Sequence, residues 1–339
     1  MKKNSQFQSL LGKFLSEYLP NRKNYSVNTI ASYCDTFKIL LTYLKRNGLE
    51  PNNIKFSNIN KDTIDDFLYW LETDKKCLPS TINQRLAGIH SFYKFVQNEE
   101  PMYINLCQLI LNIPNRKCHT KFVSYLEKEQ LKVLLEQPNT STKKGRRDLT
   151  LISVLYDTGA RVQEISDLCI NSIRLDAPAQ ITLKGKGGKS RIVPLMKNTA
   201  KLLENYLKEN NLLNNDLNHP VFFNCRKEKL TRYGITYILQ KYMSLAHKKD
   251  STMPTKISPH ILRHSKAMHL LEAGVNIVYI RDILGHESIS TTGIYARSNL
   301  EMKRKALQKV NIIPQITDIP YWTEDKDLLS WLQNYSSNL

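Results

Sequence analysis

Ile181-Thr-Leu-Lys-Gly-Lys-Gly-Gly-Lys-Ser-Arg-Ile-Val193 is the stretch on which the fold class turns. Its ends, Ile181-Thr-Leu183 and Arg191-Ile-Val193, are strand-like and flank the glycine-rich turn Gly185-Lys-Gly-Gly-Lys189. Alternating strands around such a turn predict a β-hairpin. Helical spacing surrounds it. Upstream, helices are expected over 126–137 and 147–158, the second ending at Gly159, whose lack of a Cβ suits a left-handed C-terminal turn. Arg161-Val-Gln-Glu164-Ile-Ser-Asp-Leu168 again has helical spacing, as do 199–210 and 233–247. From Pro259 onward the chain is expected to be helical, interrupted at Gly274 and Gly285. The coarse result is a mainly α fold with a small β-sheet (α+β).

The first third is helical by the same criterion. Ser26 can cap a helix whose apolar Ile30, Tyr33, Phe37, Leu40, Leu41 and Leu44 recur at three- and four-residue steps before Gly48. A shorter helix starts around Ser57–Asp62 and runs through Phe67, Leu68 and Leu71. A third begins near Ser80 and carries Ile82, Leu86, Ile89, Phe92, Tyr93 and Val96. Its other face offers Asn83, Gln84, Arg85, His90 and Lys94, groups that could read base edges in a major groove or simply meet solvent. Between Leu111 and Tyr125 the period lapses around Pro114, Arg116, Lys117 and Lys121, which predicts an extended basic linker. The expected organisation is a helical domain over 1–110, a basic linker over 111–123, a second domain over 124–310 and a tail over 311–339.

A chain of 339 residues can hold two cores, at ~100–200 residues per domain. Its 49 Lys and Arg against 31 Asp and Glu give a net charge of +18, so a polyanion is the expected partner. Charge alone leaves DNA, RNA and an anionic membrane surface open. No apolar run follows the basic start as a signal peptide requires, and none reaches membrane-spanning length. The six cysteines form no CxxC pair and are expected to be free thiols in the cytoplasm, not a disulfide frame or zinc site.

Pro259-His260-Ile-Leu-Arg263-His264 places two imidazoles and a guanidinium on one helix face. His260 and His264 have the i,i+4 spacing of a zinc pair, but the metalloprotease pattern needs Glu where Ile261 stands, and Arg263 opposes a dication. The face suits an anion better, because a guanidinium forks onto phosphate oxygens. The Gly185–Lys189 run lacks the spacing of a nucleotide-binding P-loop. Farther on come Leu284-Gly-His286 and Ile294-Tyr295.

Taken together and in this order, Thr158-Gly-Ala-Arg161, Gly185-Lys186-Gly, His260-Ile-Leu-Arg263, Leu284-Gly-His286 and Tyr295, nine residues after His286, resemble the signature of the tyrosine recombinase (phage integrase) family. Asn28-Thr-Ile-x-x-Tyr33 and Ser80-Thr-Ile-Asn-Gln-Arg85 resemble that family's SAM-like core-binding domain, so the resemblance spans about residues 5–310. It implies site-specific cleavage and rejoining of double-stranded DNA through a 3′-phosphotyrosine on Tyr295 and a Holliday junction. It also implies a tetrameric synapse and no metal or cofactor. By the same resemblance Arg161, Arg263 and His286 bind the scissile phosphate and His260 does acid–base work. Lys186 protonates the leaving 5′-oxygen, with Lys189 and Lys184 as competing lysines of the same turn, and Glu164 supports the site. His264 is expected to be structural. Asn83, Arg85, Lys94, Arg116, Lys117 and Lys121 are the candidate DNA contacts.

The role is expected to be that of a mobile-element enzyme acting at the nucleoid. The alternatives are a chromosome-dimer resolvase of the Xer type, a type IB topoisomerase, and a DNA-binding regulator that has lost cleavage. After Tyr295, a basic helix around Lys303, Arg304, Lys305 and Lys309 is expected to precede Pro314 and Pro320. Leu328, Trp331, Leu332 and Tyr335 then form a compact apolar stripe, suited to packing on its own domain or docking on a neighbouring protomer.

Overall fold

A computed structural model describes residues 5–118, 124–213, 217–286, 288, 292 and 327–337. The chain divides into two compact units, Met1–Lys121 and Phe122–Leu339. No helix among the described residues is long and apolar enough to cross a membrane.

The first unit is a helical bundle. Helix α1 (Gln6–Lys13) starts in a capping box: Ser5 Oγ accepts from the Gln8 N–H while Gln8 Oε1 accepts from the Ser5 N–H. It runs on as a wider π-helical segment, Phe14–Arg22, which contains Pro20. The sequence periodicity did not single out this entry segment. Then come α2 (Val27–Arg46), capped by Ser26 as its sequence predicts, and α3 (Lys61–Thr73), capped by Asn60. Helices α4 (Pro79–Glu99) and α5 (Ile104–Leu111) complete the bundle. Pro79 opens α4, where a missing N–H costs nothing.

An aromatic cluster fills the bundle. Phe14 is fully buried and meets Phe92 edge-on at 5.4 Å and Phe37 at 6.3 Å, while Phe37 meets Phe92 at 5.2 Å. Edge-to-face packing sets the positive ring edge against the negative face and adds to the burial term. Helices α2 and α4 approach closely at Gly88, where a Cβ would lie 3.3 Å from the Thr36 side chain.

The second unit is mainly helical with one small sheet. Helix α6 (Lys128–Leu135) leads to α7 (Lys143–Thr158), which is capped by Thr142 and ends at Gly159 with φ +57°. After α8 (Val162–Ser166) come β1 (Ile173–Arg174), β2 (Gln180–Lys184) and β3 (Ser190–Pro194), a three-stranded antiparallel sheet in that order. The strand β1 is an addition to the predicted hairpin. Register pairs Ile181 with Val193 and Leu183 with Arg191, so these four face the interior while Ile192 faces out. Helices α9 (Lys197–Glu209), α10 (Arg232–Lys249), α11 (Pro259–Glu272) and α12 (Ile277–Leu284) follow, and α13 (Leu328–Ser337) lies near the end.

The core gathers Leu151 and Leu155 of α7, Leu203 and Leu207 of α9, Leu239 and Met243 of α10 and Leu262 of α11. Buried Asp148 is satisfied within it by the Tyr242 hydroxyl and the Arg147 guanidinium. Ala267, Met268, Leu271, Ile280 and Leu284 form a smaller cluster joining α11 to α12. No residue of α13 is buried; Leu329 and Leu328 stand out most, and Trp331 stacks on Tyr335 at 5.0 Å. All six cysteines are free.

Truncating Phe14 to Ala should remove the centre of the aromatic cluster and lower stability by about 3–5 kcal/mol. Chemical denaturation of the full chain, followed by a probe in the first unit, checks this. A loss below about 1 kcal/mol would mean the cluster collapses to fill the gap.

Candidate active site

Two helices of the second unit end in left-handed glycines, α7 at Gly159 and α12 at Gly285. Such ends leave carbonyl oxygens pointing out of the helix with the negative pole of its dipole behind them. Arginine side chains take these oxygens. Arg263, from the first turns of α11, donates Nη1 to Gly159 O (2.7 Å) and Nη2 to Leu284 O (2.6 Å), and is only 4% exposed. Arg161, at the start of α8, donates Nη2 to the next carbonyl, Gly285 O, at 3.1 Å. Two guanidinium groups from separate elements are thus held on adjacent peptide units, and the next residue in the chain is His286.

Glu164 fixes Arg161. Its carboxylate accepts from the Arg161 N–H (2.8 Å) and from Nη1 of the same residue (3.0 Å). Burial alone would push the Glu164 carboxyl up, yet hydrogen bonds from Arg191 and from the Arg161 N–H hold it below its ordinary value. The β2–β3 turn lies beside this pair. A Cβ on Gly185 would sit 3.5 Å from Glu164 Oε1 and 3.9 Å from Arg161 Nη1. The turn closes through the Gly185 N–H to Lys189 O, at 2.7 Å, with Gly187 and Gly188 at positive φ. The main chain of Lys186 is therefore adjacent to Arg161; its side chain lies outside the described residues, as do Tyr295 and Lys121.

The histidines share one electrostatic setting. His260 is exposed on α11 with its ring 6.5 Å from that of half-buried His264. Desolvation first, then Arg263 and Arg161, lower the His260 pKa; desolvation, His260 and Arg263 lower that of His264. His286 is pushed down to about 4 by desolvation and by Arg263, Arg161, His264 and Arg191. Its Nδ1 is 2.9 Å from the buried Thr292 hydroxyl. With pKa values below the ordinary imidazole value, all three imidazoles are predominantly neutral at neutral pH. Among the described residues no three His, Cys, Asp or Glu side chains gather as a metal site would need.

The structure thus brings Arg161, Glu164, the Lys186 main chain, Arg263 and His286 together, with His260 and His264 on the same helix as Arg263. An anion is the natural occupant, because the cations are anchored from behind by carbonyls and a carboxylate. Alignment of cations before the anion arrives means little reorganisation when charge builds on it.

Comparison with known proteins agrees with this chemistry. The profile of the phage integrase family matches residues 124–302, and that of the phage integrase N-terminal SAM-like domain matches residues 10–101. The chain belongs to the tyrosine recombinase family. It is an enzyme of DNA strand breakage and rejoining, the reaction that members of the family catalyse. The recombinase is 33% identical over 336 residues to the integrase/recombinase-like protein y4rC of Sinorhizobium fredii, covering 98% of this chain and 100% of that one. It is 33% identical over 291 residues to the tyrosine recombinase XerC of Herpetosiphon aurantiacus, covering 85% and 90%. The Tn1549 transposon integrase, solved in complex with transposon right end DNA, shares the fold with a TM-score of 0.69 at 15% identity, over 88% and 98% of the two chains.

The candidate DNA contacts of the first unit have varied placements. Asn83 pairs with the Arg116 main chain, its amide donating to Arg116 O at 2.8 Å and its oxygen accepting from the Arg116 N–H at 2.7 Å. Arg85 donates to Ser32 O and the Thr36 hydroxyl on α2, and His90 contacts Ile110 O. The Arg116 guanidinium lies 3.7 Å from Glu72. Much of the polar face of α4 is thus engaged within the unit, because a helix at the centre of a bundle has neighbours on more than one side. Lys94 and Lys117 are exposed.

Arg191 of β3 was not singled out by its sequence, although it contacts Glu164 directly. The available signal was strand alternation: Arg191 shares a face with Val193, so a charge is placed on the inward side.

The lowered histidine pKa values make stability depend on pH. In the unfolded chain these groups return to about 6.5. Between that value and their folded values the unfolded state binds more protons, so the stability they confer is complete above pH ~6.5 and is lost as pH falls toward the folded values. The melting temperature should therefore fall steadily between pH 7 and pH 5. In His286→Asn the fall should be shallower. An identical slope in that variant would show that His286 is not among the groups responsible.

Proposed function

We propose that the recombinase is the site-specific integrase/recombinase of a mobile element, acting in the cytoplasm on double-stranded DNA as a tetrameric synapse. It cleaves and rejoins strands through a 3′-phosphotyrosine on Tyr295 and a Holliday-junction intermediate. The observation that carries this reading is the attachment of Arg161 and Arg263 to consecutive carbonyls immediately before His286.

Each step has a group to serve it. The scissile phosphodiester sits against Arg161 and Arg263, with an imidazole N–H of His286 as a further donor to a non-bridging oxygen. The phenol oxygen of Tyr295 attacks phosphorus and its proton passes to neutral His260. The bond from phosphorus to the 5′-oxygen breaks, and Lys186 protonates that oxygen. Negative charge on the pentacoordinate state exceeds that on the ground state, so the fixed cations favour the transition state over the substrate. Rejoining reverses these transfers with the 5′-hydroxyl of the partner strand as nucleophile, so the phosphotyrosine conserves the bond without ATP.

The XerC likeness favours a second reading, a chromosome-dimer resolvase. Similarity to the integrase/recombinase-like protein y4rC supports the integrase role. The location of the cleaved sequence separates them: element ends for one, a chromosomal terminus site for the other.

A library of nicked duplexes with randomised centres, treated with the full chain and recovered as covalent protein–DNA adducts, tests the reaction. Wild type should yield an adduct sensitive to protease, and Tyr295→Phe none. No adduct from any library member would leave a DNA-binding regulator. On the recovered duplex, Arg161→Lys and Arg263→Lys should each slow cleavage by on the order of 10²–10³.

A 5′-bridging sulfur tests the acid, because a thiolate leaves without protonation. Lys186→Ala should be slow on ordinary DNA and fast on the sulfur substrate. Lys184→Ala and Lys189→Ala should be near wild type on both; transfer of the effect to either would reassign the role. The exposed helix α13 serves assembly in this scheme. Deleting residues 315–339 should preserve cleavage of one site and abolish cooperative pairing of two.

A further inference from the structure

The guanidinium of Arg191 is the third to reach the end of α12. Its Nε donates to Ile283 O at 2.8 Å, one carbonyl before the acceptor of Arg263 and two before that of Arg161. Its other two nitrogens grip both oxygens of Glu164, Nη1 to Oε1 at 2.9 Å and Nη2 to Oε2 at 2.8 Å. The side chain is 12% exposed and Glu164 3%, so the pair is largely removed from solvent. Its shaft fills the space beside Gly285, where a Cβ would lie 2.9 Å from Arg191 Cδ.

From these contacts we infer that Arg191 is a positioning residue for cleavage, setting Arg161 and His286 relative to each other and to the lysine hairpin. Three elements meet in one rigid fork. Strand β3 supplies the shaft and is tied to the Lys186 turn. Glu164 relays the position of the fork to Arg161, since it accepts from the main chain and the side chain of that residue. Ile283 O and the close approach at Gly285 relay it to the peptide that carries His286. A planar guanidinium can make all three contacts at once with fixed angles, whereas an ammonium is a point charge that cannot. Arg191 itself need not touch DNA, because its donors already face Glu164 and α12.

The inference rests on the proposed cleavage reaction, and two measurements on the full chain keep the two apart. The first needs no DNA. In Arg191→Gln and Arg191→Lys, hydrogen–deuterium exchange should accelerate at 161–166 and at 281–286, while peptides of α9 and α10 keep wild-type protection. Unchanged exchange at either segment in both variants would overturn the relay. Arg191→Lys keeps the charge beside buried Glu164, so it remains informative if Arg191→Gln does not fold.

The second measurement uses the duplex recovered with wild type. Single-turnover adduct formation should slow by roughly ten- to a hundredfold, the scale expected for small misplacement of reacting groups. Affinity for the same duplex should change by less than about twofold, because the donors of Arg191 face Glu164 and α12 and the binding surface stays intact. Arg191→Lys should lie much nearer to Arg191→Gln than to wild type. Equal loss of affinity and rate, or full rescue by lysine, would refute positioning. If wild type forms no adduct, the cleavage reading fails while the exchange result still decides the relay.

Discussion

The end of helix α12 is the constraint on which the site depends. Three successive carbonyls, of Ile283, Leu284 and Gly285, accept from Arg191, Arg263 and Arg161. Placing three cations so near one another is unfavourable by itself, and two features offset it. The carbonyls form the negative end of a helix, and Glu164 stands between Arg161 and Arg191. Because the arginines come from α8, α11 and β3, a single short helix end joins the main elements of the second unit that bear on chemistry. The geometry is carried by hydrogen bonds of fixed direction and not by charge attraction alone.

The electrostatic consequence is a site that prefers neutral imidazoles. Partial burial first, and then neighbouring guanidinium and imidazole groups, lower the proton affinity of His260, His264 and His286. A neutral imidazole can either accept a proton or donate a hydrogen bond, so one field is compatible with both kinds of chemistry.

Much of this was legible in the sequence because the relevant signals are local. The spacing of Arg161, Lys186, His260, Arg263, His286 and Tyr295 carries the family signature, and the hairpin and helix ends at Gly159 and Gly285 follow from residue type. Arg191 was harder to see. Its contacts span 27 residues to Glu164 and 92 to Ile283, and only the folded register of β2 and β3 brings them together. The polar face of α4 was difficult for a related reason. Periodicity separates apolar from polar positions, but it does not say whether a polar side faces water or another helix. Asn83 and Arg85 satisfy main-chain groups of their own unit, an accounting that only tertiary structure makes visible.

The glycine at 285 does two things at once: it adopts φ +66°, and it leaves room for the shaft of Arg191. Any larger residue meets both obstacles together, and relieving one leaves the other. Position 285 is therefore closed to stepwise change, and the placement of His286 cannot be adjusted by substituting its neighbour. Exposed positions such as Lys94 and Lys117 differ, because a side chain there can change without moving the backbone. The molecule thus separates surface positions that can drift from a helix end that cannot.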